Sequence, residues 1–124
     1  MSEQPAKLAQ RGWIGVDLDG TLAKHTLIGS GELGEPIKPM VDRVKNWLKL
    51  GVTVKIVTAR MDPKRDRNTV KRELQDILFW CQEHIGQRLE VTCSKDMDMV
   101  ELWDDRAITV ERNTGRILTT FENH

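Results

Sequence analysis

The strongest constraint on this chain is the order of its apolar segments. Residues 13–18 are a short apolar run without alternation, the pattern of a strand buried on both faces. Pro39 then suits the first turn of a helix. Met40, Val41, Val44, Trp47 and Leu48 fall on one face of that helix, and Gly51 stops it. "VTVKIV", residues 52–57, is β-branched and predicts a second strand. Residues 64–85 carry Val70, Leu74, Ile77, Leu78, Cys81 and Ile85 on one stripe, which predicts a long amphipathic helix. Phe79 and Trp80 lie off that stripe, so either a loop covers them or they mark a subunit contact. "RLEVTC", 88–93, predicts a third strand and "MVELW", 99–103, a short fourth. Strand, helix, strand, helix, strand predicts the α/β class: a Rossmann-like parallel sheet with helices on both faces. "AITVE" and "RILTTF", flanking Arg112-Asn113-Thr114-Gly115, predict a β-hairpin at the C-terminal end.

Length and composition narrow the class further. The 124 residues suit one domain over 1–124, with the polar residues 1–11 as a loose tail. Hydrophobic residues make up 39%, enough for one core, and no run approaches the length of a membrane span. Lys+Arg and Asp+Glu number 19 each, which argues against bulk attraction to nucleic acid or membrane but leaves a local basic patch open. The N-terminus has no signal-peptide apolar stretch, and Cys81 and Cys93 have no CxxC spacing. Both are expected to be reduced core residues of a cytoplasmic protein. Residues 23–36 hold three glycines and are expected to form a loop or small flap.

In a parallel sheet, ligands bind beyond the carboxyl ends of the strands, so the residues found there matter most. The first strand ends in Asp17-Leu18-Asp19, the second in Thr58-Ala59-Arg60, the third in Ser94-Lys95 and the fourth in Asp104-Asp105. Carboxylates gathered at one sheet edge can share a divalent cation, and an all-oxygen site favours Mg²⁺. The cation would let a phosphate approach carboxylates that otherwise repel it. Thr58 and Lys95 are then suitable donors to the phosphate oxygens. Each feature alone has a plainer reading: Asp-x-Asp-Gly-Thr as turn chemistry with Asp17 as a cap, Thr58 as a strand-end cap, Lys95 as a solvated lysine and Asp104-Asp105 as a turn. His25 and His84 are by default surface or helix-face residues, although His25 lies in the flap.

"DLDGTL", "VTAR", "SK" and "WDD", in that order and each after an expected strand, resemble the haloacid dehalogenase superfamily over about residues 12–110. That resemblance implies a phosphatase-like role for each residue. Asp17 would be the nucleophile, forming an aspartyl-phosphate. Asp19 would protonate the leaving group and then activate water. Thr58 would hydrogen-bond the phosphoryl group, and Lys95 would neutralise its charge and orient Asp17. Asp17, Asp104 and the backbone carbonyl of Asp19 would hold Mg²⁺, with Asp105 directly on the metal or beside it. Gly20 would allow a tight turn, and Thr21 would cap the helical turn that follows.

The gaps between the expected strands leave no room for a folded cap domain, so the site is expected to be open. An open site suits a macromolecular phosphate, a nucleic-acid end, or a homo-oligomer that supplies the lid. Arg60, Lys64, Arg65 and Arg67, with Lys24, would form a basic rim that binds such a substrate; a solvated helix start is the other reading of Lys64, Arg65 and Arg67. The expected function is a Mg²⁺-dependent phosphomonoester hydrolase. The alternative is a non-catalytic domain of the same fold that binds metal or a phosphorylated partner.

Overall fold

The structure is a computed structural model that describes residues 12–26 and 30–119. The expected loose tail at 1–11 and residues 27–29 of the expected flap lie outside the described residues. Four strands form one parallel sheet: β1 (Trp13–Asp17), β2 (Thr53–Val57), β3 (Glu90–Thr92) and β4 (Met99–Trp103), in the order β3-β2-β1-β4. Helix α1 (Lys38–Lys49) joins β1 to β2. A short 3₁₀ turn (Ala59–Met61) and helix α2 (Arg67–His84) join β2 to β3. The architecture is therefore α/β and Rossmann-like, as the alternating segments predict. No helix among the described residues is long and apolar enough to cross a membrane.

Local chemistry explains the helix limits. Pro39 occupies the first turn of α1, where a missing N–H costs nothing. Gly51 ends the helix with φ +83°, a conformation that glycine adopts without strain. Asp66 caps α2 by accepting from the backbone N–H of Thr69 at 2.9 Å. Met40, Val41, Val44 and Trp47 of α1 and Ile77, Trp80 and Cys81 of α2 bury against Ile14, Val16, Val54 and Ile56 of the sheet. Each fully buried aliphatic side chain in this cluster contributes about 1.5–3 kcal/mol.

The shared core places both helices on one face of the sheet, not one on each as expected. The reason is topological. From β1 to β2 to β3 the chain steps in a single direction, and two right-handed crossovers in the same direction leave both helices on the same side. On the other face, Trp13 is buried by different means. Its indole N–H donates to Asp96 Oδ1 at 2.9 Å, and Lys55 Nζ lies 4.6 Å from its ring centre. Asp96, for which the sequence suggests no role, thus anchors the first strand.

At the C-terminal end the chain reverses at the expected turn, with Asn113 and Gly115 at positive φ and an antiparallel bridge from Val110 to Ile117; residues 120–121 of the expected second strand lie outside the described residues. Backbone bonds from Glu111 to Arg116 (2.7 Å) and from Leu118 to Thr109 (2.8 Å) flank the bridge, while Ile108, Val110, Ile117 and Leu118 stay about half exposed, so no packed face supports this two-stranded pair. Two further expectations change. Cys81 is buried, but Cys93 is exposed, because β3 is a three-residue edge strand and ends before it. Burial pushes the Cys81 thiol up to about 11. On α2, Val70, Leu74 and Leu78 are only partly buried, whereas Glu73 and Trp80 are fully so. The loop before α1 accounts for this shift: the Trp80 indole N–H donates to the Gly34 carbonyl at 3.0 Å. Of the two readings for the pair off the stripe, Trp80 is covered by a loop and Phe79 remains exposed.

Candidate active site

The strand register brings three of the expected residues, Asp17, Thr58 and Asp104, to one level. Asp17 pairs with Val57, so Thr58 follows at the same level; Val16 pairs with Trp103, so Asp104 stands level with Asp17. Beyond β1 the chain turns at once. Gly20 donates its N–H to the Ala23 carbonyl at 2.7 Å, and Ala23 donates to the Leu18 carbonyl at 2.9 Å. Gly20 has φ +92°, and a Cβ there would meet His25 Nε2 at 2.6 Å and Asp105 Oδ2 at 2.7 Å. This tight turn leaves room for the carboxylates.

Asp17, Asp104 and Asp105 each offer an oxygen, and these lie within 4.8 Å of one another. Thr21 ties the group together. Its hydroxyl lies 3.0 Å from Asp105 Oδ1 and 3.4 Å from Asp17 Oδ2, and it accepts the Asp105 backbone N–H at 3.0 Å. Asp104 Oδ1 accepts the backbone N–H of Arg106 at 2.8 Å. His25 Nε2 is 4.0 Å from Asp105 Oδ2 and remains largely exposed.

The electrostatics follow from this crowding. Burial, then the hydrogen bond with Asp105, then the charges of Asp104 and Asp105 push the Asp17 carboxyl up to about 7. Burial also acts to raise Asp105, but hydrogen bonds from Asp17 and Thr21 outweigh it and hold Asp105 below the usual carboxylate range. Crowding thus pushes the two carboxyls apart, Asp17 upward and Asp105 downward, as neighbouring acids at one site do. The donors are hard oxygens from three carboxylates, the set that a divalent cation of the Mg²⁺ type takes.

Asp19 stands apart from this cluster. Arg60 grips it through two bonds, Nε to Oδ2 at 2.8 Å and Nη2 to Oδ1 at 2.9 Å. The remaining Arg60 donors reach the Glu32 carbonyl (2.9 Å), the Gly31 carbonyl (2.9 Å) and Glu73 Oε1 (3.0 Å). All five guanidinium N–H groups are therefore engaged inside the protein, and the Asp19 hydrogen bonds are the largest cause holding Arg60 above its ordinary value. In this conformation Arg60 organises the site and offers no free donor to a substrate. Thr58 is buried and its Oγ1 accepts the Arg60 backbone N–H at 3.2 Å, which leaves its hydroxyl proton to give. Lys95 is exposed, and among the described residues it forms no hydrogen bond or ion pair. Of the expected basic rim, Lys24 lies 3.7 Å from Glu35 and Arg65 pairs with Glu73 at 3.0 Å, while Lys64 and Arg67 are exposed.

Two residues escape the sequence reading. Thr21 bonds the carboxylates rather than serving only as a cap. Glu73 is a buried acid with two arginine partners. Its signal was available: Glu73, Ile77 and Cys81 recur at four-residue spacing, which puts a charge on the core-facing stripe.

No protein-family model matches the chain, and no curated protein matches it significantly. The fold is similar to a solved structure from Bacteroides thetaiotaomicron, described as that of a conserved protein, with a TM-score of 0.54 and 19% identity over 77% of each chain. That likeness concerns the fold alone.

Proposed function

We propose that this chain is a Mg²⁺-dependent phosphomonoester hydrolase of the haloacid dehalogenase type. The observation that carries the reading is the convergence of Asp17, Asp104 and Asp105 at the carboxyl edge of the parallel sheet. Asp17 and Asp104, joined by Asp105 or the Asp19 carbonyl, would hold the metal. When bound, the metal would neutralise charge between the carboxylates and the phosphate. An oxygen of Asp17 attacks phosphorus, the bond to the ester oxygen breaks, and Asp19 gives that oxygen a proton. Water then attacks the aspartyl-phosphate and returns a proton to Asp19, which frees Asp17 and inorganic phosphate. Thr58 would donate its hydroxyl to a phosphoryl oxygen. For the proton transfers, one oxygen of Asp19 must be released from Arg60.

A second reading is a non-catalytic domain that binds metal or a phosphorylated partner. It is favoured by the Arg60 grip on both Asp19 oxygens and by the position of Lys95, exposed and unengaged. The open edge of the site suits a large substrate, such as a phosphorylated macromolecule or a nucleic-acid end, or a second subunit as lid. A panel of phosphate esters, with and without Mg²⁺, tests the reading. Mg²⁺-dependent release of phosphate that disappears in Asp17→Asn supports it, and substantial turnover by purified Asp17→Asn overturns the covalent mechanism.

A further inference from the structure

Glu73 lies in the middle of α2, 4% exposed, on a face otherwise given to Ile77, Trp80 and Cys81. A carboxylate in such a place is costly unless paired, and well-packed apolar residues often serve stability as well or better. This one accepts from Arg60 Nη1 at 3.0 Å and from Arg65 Nη1 and Nη2 at 3.3 and 3.0 Å. Burial acts to raise it, yet Arg65 and Arg60 together hold it below its ordinary value. Arg60 leaves the sheet just after β2 and must reach across to the end of β1 to grip Asp19. Its Nη1 end is anchored by Glu73 and the Gly31 carbonyl, and its other edge lies on Asp19. Without Glu73, a flexible side chain keeps only neutral carbonyls to hold that end.

We propose that Glu73 is a positioning residue of this site: through the guanidinium of Arg60 it fixes where the Asp19 carboxylate stands. The proposal rests on the reading of Asp19 as the proton-transfer group of a phosphatase. It explains why a buried acid sits on the apolar stripe, and why Arg60 spends its donors inside the protein. It also makes the effect of Glu73 depend on the leaving group. An alkyl ester needs its departing oxygen protonated, whereas an aryl ester with an acidic phenol departs without help.

The test is Glu73→Gln in the full-length chain, with Glu73→Leu as a second variant that keeps an apolar, well-filled helix face should the first fold poorly. Two readouts are taken. The first is hydrolysis of an alkyl and an aryl phosphate with Mg²⁺. The expected result is a kcat/KM loss of about 10–100-fold on the alkyl ester and about threefold or less on the aryl ester, because kcat/KM reports the step in which the leaving group departs and not the hydrolysis of the aspartyl-phosphate that both esters share. The second is the Arg60 Nε–H resonance, assigned by its disappearance in Arg60→Lys. It should be sharp in wild type and broadened or shifted in the Glu73 variants, and this readout needs no activity. Equal losses on both esters, or an unchanged Nε–H resonance, overturn the proposal. If wild type hydrolyses neither ester, the phosphatase reading fails, and the resonance still decides whether Glu73 holds Arg60 on Asp19.

Discussion

Replacing Asp17 with Asn should make the fold more stable at neutral pH. An unperturbed aspartate has a pKa of 3.8, but in the folded chain burial and the neighbouring Asp105 and Asp104 keep the Asp17 proton bound up to about 7. The folded state therefore binds this proton more tightly than the unfolded state. Stability from this group is full below the unfolded value, falls as pH rises between the two values, and is lost above the folded one. At about 1.4 kcal/mol for each pH unit, the span is worth about 4 kcal/mol as an upper bound. Asp17 is only partly buried, so solvent screening reduces this to about 1–2 kcal/mol. Asn keeps the size and a hydrogen-bonding oxygen but carries no charge. A chain of this length should then gain about 4–8 °C in melting temperature near neutral pH. The assay is thermal unfolding followed by circular dichroism, in chelator, near pH 7.5 and again near pH 4. The gain should largely vanish at the lower pH, close to the unfolded value, where the folded state keeps the proton and the unfolded state has lost only about half of it. A loss of stability near pH 7.5, or an equal gain at both pH values, would refute the argument that crowded, buried carboxylates strain this edge of the sheet.

Mg²⁺ should raise the melting temperature of wild type by mass action, about 2.7 kcal/mol at a hundredfold excess over Kd, and Asp104→Ala should abolish the rise; an equal shift in the variant would remove Asp104 from the ligand set. Gly34→Ala should destabilise by about 2–3 kcal/mol in chemical denaturation, because its Cβ would meet the Lys24 carbonyl oxygen at 2.0 Å and backbone must move. A change below about 0.5 kcal/mol would mean that the loop before α1 adjusts freely.

The sequence by itself determined the kind of fold and most of the residues at its carboxyl edge. Periodicity is local, so the non-alternating run at Trp13–Val16, the stripe Met40–Trp47 and the β-branched run at 53–57 each specify an element without reference to the others. Asp17, Thr58 and Asp104 could be assigned to strand ends because a strand end is itself a local property. Tertiary structure decided what those ends touch. Asp104 stands beside Asp17 because β4 pairs with β1 in the register Val16 to Trp103, a contact between residues far apart in sequence. Asp19 leaves the carboxylate cluster because Arg60, 41 residues away, offers it two charge-assisted hydrogen bonds. Both helices share one face because the strand order sets the direction of each crossover, and that order is not written in any one element. Glu73 is tolerated on the buried face of its helix because two arginines close over it. Pairing of charges across the fold is a property of three-dimensional proximity, which periodicity along the chain does not encode.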